Sequence, residues 1–205
     1  NPSLVFDFKN NYFRKSATAS TFGASITHAA TTNATMVDSD GLLKWRPHNI
    51  LTHSGDLTNA GWINNGLTVT TGQNDFEGNP TAFKITPTTA SELHRLYKSQ
   101  VGSNLVNGIL TTVTIDLKAD GYTFFSVATT SGRYAIINLS DGTVSLDTGS
   151  VSPTVTSLGN GWYRCSITTS ALSQEVFSIG ETSQANTFGS QTFTGDGTSG
   201  VLVAY

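Results

Sequence analysis

The sequence predicts an all-β chain: an antiparallel two-sheet jelly-roll sandwich over residues 48–205, preceded by an extended N-terminal arm over residues 1–47. Three observations carry this. Segment after segment alternates apolar and polar residues with period two and stops at Gly, Asn, Asp or Ser. Asp-Gly and Asn-Gly pairs, which tolerate the positive φ of tight turns, recur between these segments. Only 12% of the 205 residues are charged, about half the usual share, while Thr, Ser, Gly and Asn abound. That length allows a substantial core without disulfide staples.

The elements follow in chain order. "LVFDF" (Leu4–Phe8) reads as a strand, and "ATMVDSDGLLKW" as a hairpin turning at Asp38–Gly41. Between them "RKSATASTFGASITHAATTN" is small and polar with no core-forming period, so it reads as a linker or a segment packing on a neighbouring subunit. "NILTHS", "GLTVTTG", "TAFKITP" and "LHRLYKSQV" supply four short strands. In "LTTVTIDLKADGYTFFSVATT", Val113, Ile115, Leu117 and Ala119 share one face, and a hairpin is expected at Ala119–Gly121. The returning strand carries Phe on both faces, as a strand covered on both sides would. "RYAIINLSDGTVSLD" and "VTSLGNGWYRCSITT" are further hairpins, and "EVFSIGE" and "GVLVAY" complete the set.

Several function classes lack their residues. The formal net charge is −3 and eleven basic residues are scattered, so no basic patch awaits nucleic acid. No apolar run approaches the roughly 20 residues that span a bilayer, and no signal peptide is visible. The single cysteine excludes an internal disulfide. Cys165 shares a strand face with Tyr163 and Ile167 and reads as a buried, inert thiol. No Gly-x-Ser-x-Gly elbow, phosphate loop or dinucleotide fingerprint is present. His28, His48, His53 and His94 make no metal-binding pair by spacing. Nor do Glu77, Glu92, Glu175 and Glu181 suggest the facing carboxylates of a glycosidase.

Five ordered blocks are more specific: "ATMVDSDGLLKWRPHNILTHSGDLTNAGW", "DLKADGYTFFSV", "INLSDGTVS", "LGNGWYRCSIT" and "FTGDGTSGVLVAY". From Ala34 onward the chain resembles a recurrent domain of virion surface proteins in tailed bacteriophages and gene transfer agents. The family's opening Arg-Ala-Ser-Thr-Ala is stretched and altered here around "FRKSATAS". The resemblance implies a jelly roll similar to carbohydrate-binding modules and concanavalin-like domains, carried on a tail fibre, head fibre or spike. It implies attachment to host capsule or surface glycan at the virion surface, or a structural role beside other virion subunits, with homotrimers as the usual assembly. It also implies Trp62 as a plug beneath the sheet. A structural calcium in the first loop would use Asp56 with carbonyls of Ser54 or Thr58, hard oxygen donors that suit that ion.

A sugar ring packs its C–H face on an aromatic plane while its hydroxyls meet polar side chains. Tyr97 with Arg95, and Tyr134 with Asn138, fit that demand by period two, with Asp116 and Lys118 expected on a neighbouring strand. Each tyrosine also suits ordinary packing at a sheet rim. The sequence therefore reads as a non-catalytic carbohydrate-binding domain. A purely structural virion domain is the alternative, and a polysaccharide-degrading enzyme a third.

Overall fold

A computed structural model of the chain describes the backbone of residues 4–7, 12–15, 18–20, 35–37 and 43–45, and then residues 51–98, 110–130, 133–148, 151–170, 177–181 and 192–205. Every regular element among them is a β-strand, and the sheets are antiparallel. The chain divides into two compact units, Asn1–Asn49 and Ile50–Tyr205.

In the first unit β1 (Leu4–Asp7), β2 (Tyr12–Lys15) and β3 (Thr18–Ser20) form a three-stranded sheet, and β4 (Thr35–Val37) pairs with β5 (Leu43–Trp45). The expected strand and hairpin are β1 and β4–β5. Part of the stretch read as arm is strand instead, because β2 and β3 take in Arg14, Lys15 and Thr18–Ser20. A ladder is made by backbone groups, so small and polar residues can pair without an apolar period. The remainder of that stretch, with His28, lies outside the described residues, as does His48.

Among the described residues the second unit holds two six-stranded sheets. Sheet I runs in the order β14 (Thr143–Asp147), β13 (Arg133–Asn138), β12 (Phe124–Thr130), β17 (Phe177–Glu181), β10 (Arg95–Lys98), β6 (Ile63–Asn65). Sheet II runs β15 (Ser152–Gly159), β16 (Trp162–Ser170), β11 (Leu110–Asp120), β19 (Gly200–Ala204), β8 (Ala82–Pro87), β7 (Leu67–Gln73). A short pair, β9 (Ser91–Glu92) with β18 (Phe193–Thr194), lies outside both. Pro153 sits on β15, an edge strand, where a residue without an N–H does least harm.

Side chains from both sheets meet in one apolar cluster. Leu96, Phe125, Val127 and Ile137 come from sheet I, and Phe83, Ile85, Ile115, Leu117, Ile167 and Val203 from sheet II. Trp62 belongs to this cluster, and its indole N–H donates to the carbonyl of His53 at 3.0 Å. The predicted face of β11 is therefore the core face. Phe125 enters the core while Ser126 and Ala128, on the opposite face of β12, are also fully buried.

Two sequence expectations give way. "NILTHS" was expected as a strand, but from Leu51 to Trp62 the chain is a run of turns. Asp56, Asn59 and Trp62 donate their N–H groups to the carbonyls of His53, Asp56 and Asn59 respectively. His53 takes a positive φ, and Gly55, Asp56, Asn59 and Gly61 all favour turns over a ladder. The expected hairpin at Ala119–Gly121 is instead a crossing between sheets. Both edges of β11 are already taken, by β16 and β19, so β12 has no free edge there and pairs in sheet I. Gly121 has a φ of 109°, and a Cβ there would lie 2.4 Å from that of Ser199. The hairpins β13–β14 and β15–β16 form as predicted, the second on three successive positive-φ residues, Gly159, Asn160 and Gly161.

A second cluster covers the outer face of sheet II. Trp162, Ala82 and Ala204 are buried there beneath Phe76, Leu158 and Leu202. Neighbouring residues alternate in direction, so Tyr163 turns to the main core and Trp162 away from it.

Cys165 is buried in the main core. Desolvation first, and the Asp116 carboxylate second, push its thiol up to about 12. The folded protein at pH 8 is therefore expected to resist a disulfide-exchange reagent and to react fully in guanidinium. Equal labelling rates in both conditions would contradict the burial.

Candidate functional site

Period two places Arg95 and Tyr97 on the outer face of sheet I, because Leu96 between them points into the core. The Arg95 guanidinium lies 4.3 Å from the centroid of the Tyr97 ring, within cation–π range. Their cross-strand partners on the edge strand β6 are Asn65 and Ile63, the latter 38% exposed. Arg95, Tyr97 and Asn65 are half-buried. Together they form a small surface of one aromatic ring, one cation, one amide and one aliphatic side chain.

Tyr134 lies on the same face. Its row runs Tyr134, Ala128, Ser178, Tyr97, Ile63 across β13, β12, β17, β10 and β6. Three interstrand steps separate the two tyrosines, about 14 Å at the usual strand spacing. Ser126, Ala128 and Ile136 lie on this face too, and each is 0% exposed. The two tyrosines thus share a face without sharing an open floor. Asn138 follows Tyr134 on that side of β13, but its Oδ1 accepts from the backbone N–H and hydroxyl of Ser140 at 3.1 and 2.7 Å. It is half-buried and caps the turn into β14.

Asp116 and Lys118 are on the other sheet. Both occupy the outer face of β11 in sheet II, so they do not join the tyrosines. Asp116 is 1% exposed, and its two oxygens accept from Arg164 Nε and Nη2 at 2.8 and 2.7 Å. Burial and a bidentate partner make it part of an internal ion pair rather than a surface acceptor. The hydrogen bonds that Arg164 donates to Asp116, then the carboxylate's charge, raise the pKa of Arg164. Phe76 lies under the same guanidinium, 5.7 Å from it to the ring centroid. Lys118 is half-buried, between Trp162 and Leu202 by register. Neither the Arg164 partnership nor the Phe76 cover was anticipated from the sequence; Asp116 and Arg164 are 48 positions apart, and only the strand register joins them.

Beyond this pair the outer face of sheet II carries hydroxyls in rows. Thr168 lies between Thr112 and Ser152, and Ser166 between Thr114 and Thr154. The Thr112 and Thr168 hydroxyls lie 2.8 Å apart, and those of Thr114 and Ser166 2.9 Å.

Asp56 lies in the exposed turn before Trp62. Its Oδ1 accepts from the N–H and hydroxyl of Thr58 at 3.0 and 2.6 Å, and these bonds hold its carboxyl below the usual range. The hydroxyl of Tyr205 donates to the carbonyl of Gly55, so the chain's last described residue meets this loop. Among the described residues no group of three His, Cys, Asp or Glu side chains converges anywhere. One carboxylate already capping its own turn does not fit a calcium cage.

The spacing of His94 assigns it no role in the sequence. It is buried, with Nδ1 2.6 Å from the Gly66 carbonyl and Nε2 2.8 Å from that of Phe193. It ties the β6–β7 turn to β18.

No family model matches this chain, and no curated protein matches it.

Proposed function

We propose that the second unit is a jelly-roll module of a phage-like virion surface protein that binds host surface glycan without catalysis. The observation that carries this is the Arg95–Tyr97 stack on the accessible edge of sheet I, next to Asn65 and Ile63. It sets an aromatic ring and the exposed Ile63 beside the hydrogen-bond donors of Arg95 and Asn65, the mix of apolar and polar groups a pyranose needs. The crossing at Gly121 and the two sheets around one core support the jelly-roll reading. A shallow site of this size gains little beyond the cost of association. Copies arrayed on a fibre, as a homotrimer for example, would supply avidity through effective concentration.

An oligomerised form of the chain on a glycan array is expected to bind selectively. Tyr97→Ala is expected to weaken that binding roughly tenfold, equivalent to about 1.4 kcal/mol. Tyr134→Ala should have a smaller effect, since the buried floor separates it from Arg95. Absence of selective binding would remove this reading.

The hydroxyl rows on sheet II favour a second reading, a structural virion domain whose faces contact other chains. Release of reducing ends from a host polysaccharide would be the result that brings back an enzyme.

A further inference from the structure

Three arginines in the second unit have described side chains, and they divide sharply. Arg164 spends its guanidinium on Asp116. Arg133 donates to the Thr169 hydroxyl at 3.1 Å and to the Ser170 carbonyl. Arg95 rests on the Tyr97 ring, and among the described residues no acceptor pairs with it; its Nε is buried without a hydrogen-bond partner. Its cross-strand neighbours explain the vacancy. Gly180 on β17 has no side chain, and Asn65 on β6 is uncharged.

We infer that the Arg95–Tyr97 stack is a carboxylate site, and that the glycan it takes is an acidic one bearing a uronate-type sugar. The inference rests on the glycan-binding reading above and adds the substrate class. The ring holds the guanidinium plane in place, so little rotamer freedom remains to be lost on binding. A planar fork of donors matches a carboxylate with two parallel hydrogen bonds, which a hydroxyl cannot reproduce. Stacking satisfies the face of the guanidinium, and a carboxylate at its outer edge would pair with the two terminal Nη groups, while the buried Nε stays out of its reach. Asn65 lies beside Arg95 to meet a ring hydroxyl, and Ile63 beside Tyr97 to meet a C–H face. The chain's formal net charge of −3 gives a polyanion no general attraction, so binding would report the local site.

The test passes the full chain over surfaces coated with polygalacturonate and with the same polymer after carboxyl reduction to its neutral form. Retention is expected on the acid polymer and weaker by about 10- to 100-fold on the neutral one, the range for hydrogen bonds to a charged group. Arg95→Gln should lose the same factor. Arg95→Lys, which keeps the charge and the aliphatic stem but not the fork, should fall between, and thermal melting checks that both variants fold. Equal retention on the two polymers, unaffected by Arg95→Gln, overturns the carboxylate site and leaves glycan binding standing. Selective binding to other glycans that ignores Arg95→Gln overturns it in the same way. No retention on any glycan removes both readings. Competition by polyglutamate as effective as by free galacturonate oligomers would assign the site to a protein carboxylate and overturn the sugar.

Discussion

Arg164→Ala is expected to destabilise the second unit by about 3 kcal/mol, the low end of the range for removing one partner of a buried pair. The reason is the asymmetry of the pair, 46% exposed on the arginine side and 1% on the aspartate side. Without Arg164 the Asp116 carboxylate keeps its burial and loses both partners. The reverse change, Asp116→Leu, leaves a cation that can turn to water, and should cost distinctly less. Arg164→Met with Asp116→Leu should return close to the parent, since an apolar pair of similar volume needs no desolvated charge. Thermal melting reads this directly: a 3 kcal/mol loss is a drop of about 6–12 °C for a unit of this size. Equal losses from the two single changes would contradict the asymmetry.

Trp162→Ala is expected to cost about 3–5 kcal/mol, the range for emptying a buried aromatic site. Trp162 is 2% exposed although it points away from the main core. It anchors the second cluster, so its loss should also free Phe76 and the turn that carries it. That turn is built on Asp75, whose oxygens accept from Glu77 N–H, Asn79 N–H and the Thr81 hydroxyl at 2.9, 2.9 and 2.6 Å. Trp162→Phe, which keeps an aromatic ring, should recover most of the loss. Phe76 touches both Trp162's cluster and Arg164, so the Trp162→Ala and Arg164→Ala losses should not add. A loss below 1 kcal/mol on chemical denaturation would mean that the face is covered by something other than this cluster.

Much of the strand architecture was legible from period two, since alternation decides which side chains face the core whatever the partner strand. The faces of β11, the split of Phe124 from Phe125 and the burial of Cys165 follow from local spacing alone. Pairing partners followed only for the hairpins β4–β5, β13–β14 and β15–β16. An Asp-Gly step suits a hairpin and a crossing equally, and what decides between them at Gly121 is that β16 and β19 already flank β11. The same limit explains the candidate site. Arg95 and Tyr97 are two apart, so their common face was readable. Asp116 and Lys118 were correctly placed together, yet which sheet they decorate depends on register with strands far along the chain. Only residues 49–54 of the stretch before Trp62 read as strand, because Ile50 and Leu51 are apolar. The outcome there belongs to His53, Gly55 and Asn59.

The position of β19 has a kinetic consequence. It lies between β8 and β11, so residues 82–87 and 110–120 become sheet neighbours only through residues 200–204. During synthesis the hairpins can close as they leave the ribosome, but sheet II stays in two pieces until this strand arrives. A barrier dominated by such distant closure makes folding slow relative to a local meander, and the waiting edges of β8 and β11 are where premature association between nascent copies would start.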